Sequence, residues 1–361
     1  MGSGASRGHF LDRDLLPVKT VATGKSKNIR LDDLADSAGV SVSTVSRALS
    51  GSAAVNPQTR ARIRALAEEA GYSAPVRRSR SVSQRTQPSV MILLPPPLGQ
   101  DAPQIDPFTL SLLGGIFAEM RRRQLDLCVS HWVPQDQHSL TGFLDLNHSE
   151  GLIFLGQSQL HPLLNKLARE GRRFVVWGAM VPGQVYCSIG SDNFAGGMRA
   201  TNHLIRLGRR RIAFIGQSEV IELAQRHEGY QAALSAANLE IDPALFRPCS
   251  LTPEAAAEAI NDLVDHAIPF DALVCGSDLA AVGALRALAR RGISIPGDVS
   301  VVGYDNIDIA AYTHPALTTI QQDTKKAGRL LVSKLMRMLA GDQPSSERLA
   351  TNLIVRESCG A

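Results

Sequence analysis

Cysteine is sparse in this 361-residue chain: Cys128, Cys187, Cys249, Cys275 and Cys359, with no C-x-x-C pair among them. An odd number at wide spacing argues against a zinc ribbon and against a disulfide framework. It reads instead as reduced core thiols in a cytosolic protein. Long apolar runs are missing too. No stretch reaches the roughly eighteen residues that suggest a membrane-spanning helix. Residues 1–28 hold no hydrophobic segment of signal-peptide type. The expected location is therefore cytoplasmic, with the Gly/Ser-containing segment 1–28 as a disordered tail.

Catalytic and cofactor signatures are also lacking. No G-x-G-x-x-G follows a strand-like run, and no G-x-S-x-G elbow closes one. His131, His138, His148 and His161 form no H-E-x-x-H and read as surface or loop histidines. Thr23-Gly24-Lys25-Ser26 imitates the end of a phosphate-binding loop. Lys19 stands where its first glycine belongs, however, and no strand precedes it. The chain is thus expected not to be an enzyme and to carry no cofactor and no metal. A Ser-His-Asp site, which a fold can assemble from any spacing, stays open.

What remains is ordinary globular material, 44% hydrophobic and 20% charged, long enough for two or three domains. Its charge is uneven. From Lys19 to Arg85 there are twelve Lys/Arg against five Asp/Glu, a balance of +7, which leaves −3 for the rest of a chain whose net charge is +4. A basic head on a near-neutral body suits phosphate contacts; a solvated basic face fits charge alone equally well.

Inside that head, Leu31, Leu34, Ala35 and Ala38 recur at helical spacing and Gly39 breaks the helix. Ser41 can cap a second helix over Val42 to Leu49, which makes a helix-turn-helix. A third opens with Asn56 as cap and Pro57 at the first helical position, and Gly71 closes it. Ser73–Ser89 follows with Arg77, Arg78, Arg80 and Arg85 and no acid, and reads as a linker. Beyond it, apolar runs at 90–94, 125–130, 151–155, 174–177, 211–215, 272–275 and 299–302 alternate with helical stretches such as 110–123, 194–207, 226–237, 253–266 and 279–291. That alternation predicts parallel sheets with helices on both faces. Seven or so strands exceed one compact sheet, so two βαβ lobes with a cleft are expected.

The head sequence Leu31-Asp-Asp-Leu-Ala-Asp-Ser-Ala-Gly-Val-Ser-Val-Ser-Thr-Val-Ser-Arg-Ala-Leu49 continues as Val55-Asn-Pro-Gln-Thr-Arg-Ala-Arg-Ile63 and Ala70-Gly-Tyr72. The body adds Gly190-Ser-Asp-Asn-Phe-Ala-Gly-Gly197, Arg226-His-Glu-Gly-Tyr230, Gly276-Ser-Asp278, Val301-Val-Gly-Tyr-Asp305 and Leu317-Thr-Thr-Ile-Gln-Gln-Asp323. In this order, from about Arg30 to the end, the set resembles the lactose/galactose-repressor (LacI/GalR) family.

The resemblance implies an all-α helix-turn-helix head plus an α/β periplasmic-binding-protein-like body of two doubly wound parallel-sheet lobes. The expected divisions are a tail at 1–28, a DNA-binding domain at 29–73, a hinge linker at 74–88 and an effector-binding and dimerisation domain at 89–361. Lobe one takes about 89–190 and 324–343, and lobe two about 191–322 and 344–358. Val42, Ser43 and Arg47 match base-reading positions: Arg47 suits a guanine and Val42 a thymine methyl. The other reading of Val42 is a core valine, a role that better fits Val45; that of Arg47 is a solvated helix-end charge. Thr44, Ser46 and Arg60 suit phosphates. Arg77, Arg78 and Val82 fall in the hinge, where Val82 replaces the family's wedging leucine, Val76 an asparagine and Ser79 an alanine. A valine wedge is shorter and stiffer.

In the body, Phe108, Arg226, Ser277, Asp305 and Gln322 match positions at the effector cleft. Trp177-Gly178 stands where many relatives have an aliphatic residue and an aspartate, so one common ligand contact is missing. Trp177 either stacks on a ligand or ends a buried strand. Arg226 and Asp305 either meet the ligand or pair across the lobes. The expectation is a DNA-binding transcriptional regulator, a repressor, tuned by a mono- or disaccharide. A purine or other metabolite effector is the alternative, and a sugar-binding protein without DNA function is a further one. The expected partners are a palindromic double-stranded operator, the effector and a second copy, with no membrane. The Ala/Leu-rich helix near 279–291 suits an isologous interface. The chain's end shows no heptad tail for a coiled-coil tetramer.

Overall fold

A computed structural model describes residues 31–49, 55–69, 89–94, 105–130, 137–147, 149–157 and 160–361. The tail 1–28, Gly71, and the linker with Arg77, Arg78 and Val82 lie outside them. The chain divides into two units, 1–84 and 85–361.

The described part of the first unit is three helices, α1 (Leu31–Ala38), α2 (Val42–Leu49) and α3 (Pro57–Glu69). Gly39 turns the chain at φ 63°, a left-handed value that favours glycine. Ser41 Oγ accepts the Thr44 N–H at 3.3 Å, and Asn56 Oδ1 accepts the Gln58 N–H at 2.9 Å, so both helices start on the expected caps. Leu34, Ala35, Ala38, Val45, Ala48, Val55, Ile63 and Ala67 form the core. Val45, not Val42, is the buried valine of α2: Val42 is 41% exposed.

The second unit holds two six-stranded sheets. In the first lobe are β1 (Ser89–Leu93), β2 (Asp126–Ser130), β3 (Gly151–Leu155), β4 (Phe174–Trp177), β5 (Cys187–Ser191) and β11 (Glu347–Leu349). They lie in the order β11-β5-β4-β3-β1-β2, all parallel. In the second lobe are β6 (Ile212–Gly216), β7 (Phe246–Pro248), β8 (Ala272–Cys275), β9 (Ser300–Asp305), β10 (Thr318–Gln321) and β12 (Asn352–Ile354). Their order is β12-β10-β9-β8-β6-β7, with only β12 antiparallel.

The first-lobe helices are α4 (Pro107–Arg122), α5 (Gln137–Asn147), α6 (His161–Arg169) and α11 (Thr324–Leu339). The second lobe has α7 (Asn193–Arg206), α8 (Ile221–Ala236), α9 (Pro253–Asp265) and α10 (Asp278–Arg290). Successive strand residues point to opposite faces, and both faces are covered. Val90 and Ile92 pack with α4 and α11, while Met91 and Leu93 pack with α5 and α6. This is why the strands read as unbroken apolar runs.

The chain crosses between lobes three times: from β5 to α7, from β10 to α11, and from β11 to β12. The third crossing corrects a boundary. Residues 344–358 were expected in lobe two, but Glu347–Leu349 pairs with Ile189–Ser191 of lobe one, so only the part from β12 onward joins lobe two. Helix α10 packs its inner face into its own lobe. Its Ala280, Ala281, Ala284, Leu285, Ala287 and Leu288 are buried within its own lobe, and its exposed residues are Arg286, Ala289, Arg290. Val282, half-buried, shares one side of the helix with Arg286 and Ala289.

Helices α7 and α8 pack at glycine positions. A methyl at Gly229 would run into the Phe194 carbonyl, and one at Gly197 into the Arg226 carbonyl. Only hydrogen at these positions lets the two backbones approach so closely. Arg226, on α8, is thereby brought against the start of α7.

Candidate functional site

In both sheets the strand order reverses beside the first strand, and the cleft opens at the carboxyl ends of the strands, where ligands enter open α/β sheets. Leu155, Trp177 and Ser191 line it from lobe one; Ser277 and Gln322 follow β8 and β10, and Asp305 ends β9. Its volume is about 700 Å³, within the usual range for small-molecule sites. All six residues expected at the effector site, Phe108, Trp177, Arg226, Ser277, Asp305 and Gln322, lie in its wall.

Phe108 is the second residue of α4. Asp106 caps that helix, accepting the Thr109 N–H at 3.0 Å, and Pro107 opens it. The Phe108 and Trp177 rings are 5.9 Å apart at 41°. Trp177 ends a strand with 8% exposure and also lines the cleft.

Opposite this aromatic pair stands a polar cluster around Arg226. Its Nε donates to Asn193 Oδ1 at 2.9 Å, one Nη donates to the Gly276 carbonyl at 2.5 Å, and the guanidinium lies 3.7 Å from the centre of the Tyr304 ring. Asp305 Oδ1 is 3.8 Å from Arg226 and accepts the Gln322 amide at 2.7 Å. Arg226 and Asp305 belong to the same lobe, so they form no bridge across the lobes. Ser277 caps α10 through the Ala280 N–H at 3.1 Å, which gives its hydroxyl a structural task beside the cleft.

Asp305 has φ 116° and Asn306 φ 57°, two successive strained residues at the end of β9. Their surroundings hold them there. Arg356 donates to Asn306 Oδ1 at 2.7 Å, and Asp278 accepts the Ile307 N–H at 2.8 Å and the Thr319 hydroxyl at 2.6 Å. Burial pushes the carboxyls of both Asp305 and Asp278 well above the ordinary aspartate range. For Asp305 it outweighs the opposing pull of Arg226.

Five residues in or beside the site were not singled out from sequence. Asn193 and Tyr304 sit inside motifs read above, but their bonds to Arg226 need the tertiary structure. Asp106, Gln157 and Glu222 line the cleft with no sequence signal. Gln157 lies over Gly178, where a methyl would come within 2.5 Å of its Oε1.

In the head, Val42, Ser43 and Arg47 are exposed on one side of α2, while Thr44 and Ser46 are half-buried. Ser41 Oγ lies 2.9 Å from the hydroxyls of both Ser43 and Thr44. Arg60 lies in α3. It is half-buried and donates to the Val55 carbonyl at 2.9 Å, holding the turn before α3. No helix among the described residues is long and apolar enough to cross a membrane.

The raised carboxyls set a pH dependence. An unfolded aspartate titrates near about 3.9, and the folded Asp305 holds its proton to higher pH. Its contribution to stability is therefore full below that value and is lost as pH rises through the folded one. Asp305→Asn keeps an acceptor for Gln322 and removes the titration. Melting temperature should fall for the wild type relative to D305N as pH rises from about 4 to neutrality. Parallel curves would contradict the burial argument.

Two family models match the chain: bacterial regulatory proteins of the lacI family over residues 30–75, and the periplasmic binding protein-like domain over 201–359. The HTH-type transcriptional regulator CelR of Thermobifida fusca is 32% identical over 336 residues, 91% of this chain and 97% of that protein. A solved complex of the transcriptional regulator CelR with cellobiose superposes with a TM-score of 0.68 at 31% identity, over 91% of this chain and 99% of that one. The lac repressor dimer bound to operator and the anti-inducer ONPF shares the fold, with a TM-score of 0.68 at 22% identity over 93% of this chain and 100% of that one. The chain belongs to the lacI family of bacterial regulatory proteins, DNA-binding regulators of transcription.

Proposed function

We propose that this regulator binds a neutral sugar, a mono- or disaccharide, between its lobes, and that the sugar sets its affinity for a palindromic operator. The carrying observation is an aromatic pair, Phe108 and Trp177, facing an acidic polar wall. Three carboxylates, Asp106, Glu222 and Glu254, and the Asp305 carboxyl line the cleft against one cation, Arg226, among the described residues. Carboxylates accept hydroxyl donors, aromatic rings pack on the apolar faces of sugar rings, and a surplus of acids disfavours anionic ligands. The cellobiose held by the relative CelR supports the same reading.

The head 29–73 reads DNA through Val42, Ser43 and Arg47, with Thr44 and Ser46 at phosphates, and 74–88 serves as hinge. The protein acts in the cytoplasm, where its DNA is, as a homodimer. Leu110 and Phe117 of α4, exposed by 54% and 43%, with Ile309 and Tyr312 at 47% and 85%, offer apolar surface for a second copy.

A calorimetric screen of cellobiose, lactose, maltose, cytidine and hypoxanthine tests the ligand class. A neutral disaccharide should bind, and binding of the nucleoside or the base alone would reject the sugar reading. Arg47→Ala should lose about 1–3 kcal/mol of discrimination per half-site, read as the ratio of operator to random-DNA affinity. An unchanged ratio would show that Arg47 reads no base.

A further inference from the structure

Gly178 leaves a gap in the lobe-one wall. Position 178 has no side chain, and Gln157 covers it. A carboxylate nevertheless reaches the neighbouring residue from the other lobe. Glu222, the second residue of α8, accepts the Ala179 N–H at 3.1 Å. Gln225, one turn later on the same helix, donates to the Met180 carbonyl at 3.4 Å. Both bonds run from α8 of lobe two to the loop after β4 of lobe one, so they join the lobes without covalent connection. Glu222 also lines the cleft and forms no ion pair with a described residue. The N-terminal end of a 16-residue helix favours its charge. One oxygen accepts the Ala179 N–H, and a carboxylate has capacity for further donors.

We propose that Glu222 is a specificity residue that spans the cleft: it latches lobe two to the Gly178–Met180 loop of lobe one and accepts a hydroxyl of the effector beside Gly178. This deepens the sugar reading above and rests on it for the hydroxyl. Gly178 offers no side-chain acceptor to the cleft, and one is supplied beside it from the opposite lobe. A carboxylate on the same lobe as Gly178 would bind a hydroxyl whatever the lobes did. One held across the cleft has both partners only when the lobes are together, so a sugar that fits it favours the closed arrangement.

The test uses the full chain carrying Trp132→Phe, which leaves Trp177 as its single tryptophan. Trp177 adjoins Gly178 and reports on the loop without ligand. Glu222→Ala removes the latch and the acceptor. Glu222→Gln keeps an oxygen for Ala179 and removes the charge. E222A should shift Trp177 emission in ligand-free protein, whereas E222Q should not. Both should weaken the tightest of cellobiose, lactose and maltose by roughly 10- to 100-fold, the scale of a lost charged hydrogen bond. Wild-type emission in E222A would overturn the latch. Wild-type affinity in E222Q would overturn the hydroxyl contact. If no disaccharide binds the parent protein, the sugar reading fails and the hydroxyl contact with it, while the emission of E222A still decides the latch.

Discussion

The site depends on keeping a guanidinium charged in a nearly dry place. Arg226 is 7% exposed, and burying an unpaired charge is prohibitive. The surroundings answer with the Asn193 and Gly276 oxygens, the Tyr304 ring and the Asp305 carboxyl oxygen. These come from α7, the residue after β8, and β9, so the cation gathers three segments around α8. That is possible only because Gly197 and Gly229 let α7 and α8 touch backbone to backbone. A methyl at either position would separate the helices and take Arg226 away from Asn193.

The same cluster touches a lobe crossing. Asn193 opens the helix after the first, and Gln322, in the second, holds Asp305. Asp192 and Leu349 join the first crossing to the third by a backbone bond of 2.8 Å. A molecule seated against Arg226 and Asp305 would therefore lie beside the segments that join the lobes and any movement between them. The ligand still shifts that movement only by its different affinity for the two arrangements.

Much of the chain was legible in its sequence because the chemistry was local. Caps such as Ser41 and Asn56 lie within three residues of the amides they bind, and strands covered on both faces announce themselves as Val/Ile/Leu runs. The strands that escaped were short and had weak apolar signals. Cys187–Ser191 is buried throughout yet rich in small and polar side chains, and Thr318–Gln321 is similar. Glu347–Leu349 rejoins lobe one after α11, a pairing that spacing does not reveal. In the cleft, motif positions located the six expected residues. Glu222 and Gln157 were invisible, because what matters in them is which residue lies opposite once the lobes are assembled.

The account stands on one coupling, that between the cleft and the DNA-reading head. It is measured most directly as the affinity of the full-length protein for operator DNA, at fixed salt, with and without a saturating concentration of the sugar that binds the cleft. The operator affinity should change by roughly 5- to 150-fold, and the sugar affinity should change by the same factor when operator is present. A sugar that binds the cleft and leaves operator affinity unchanged would contradict the account.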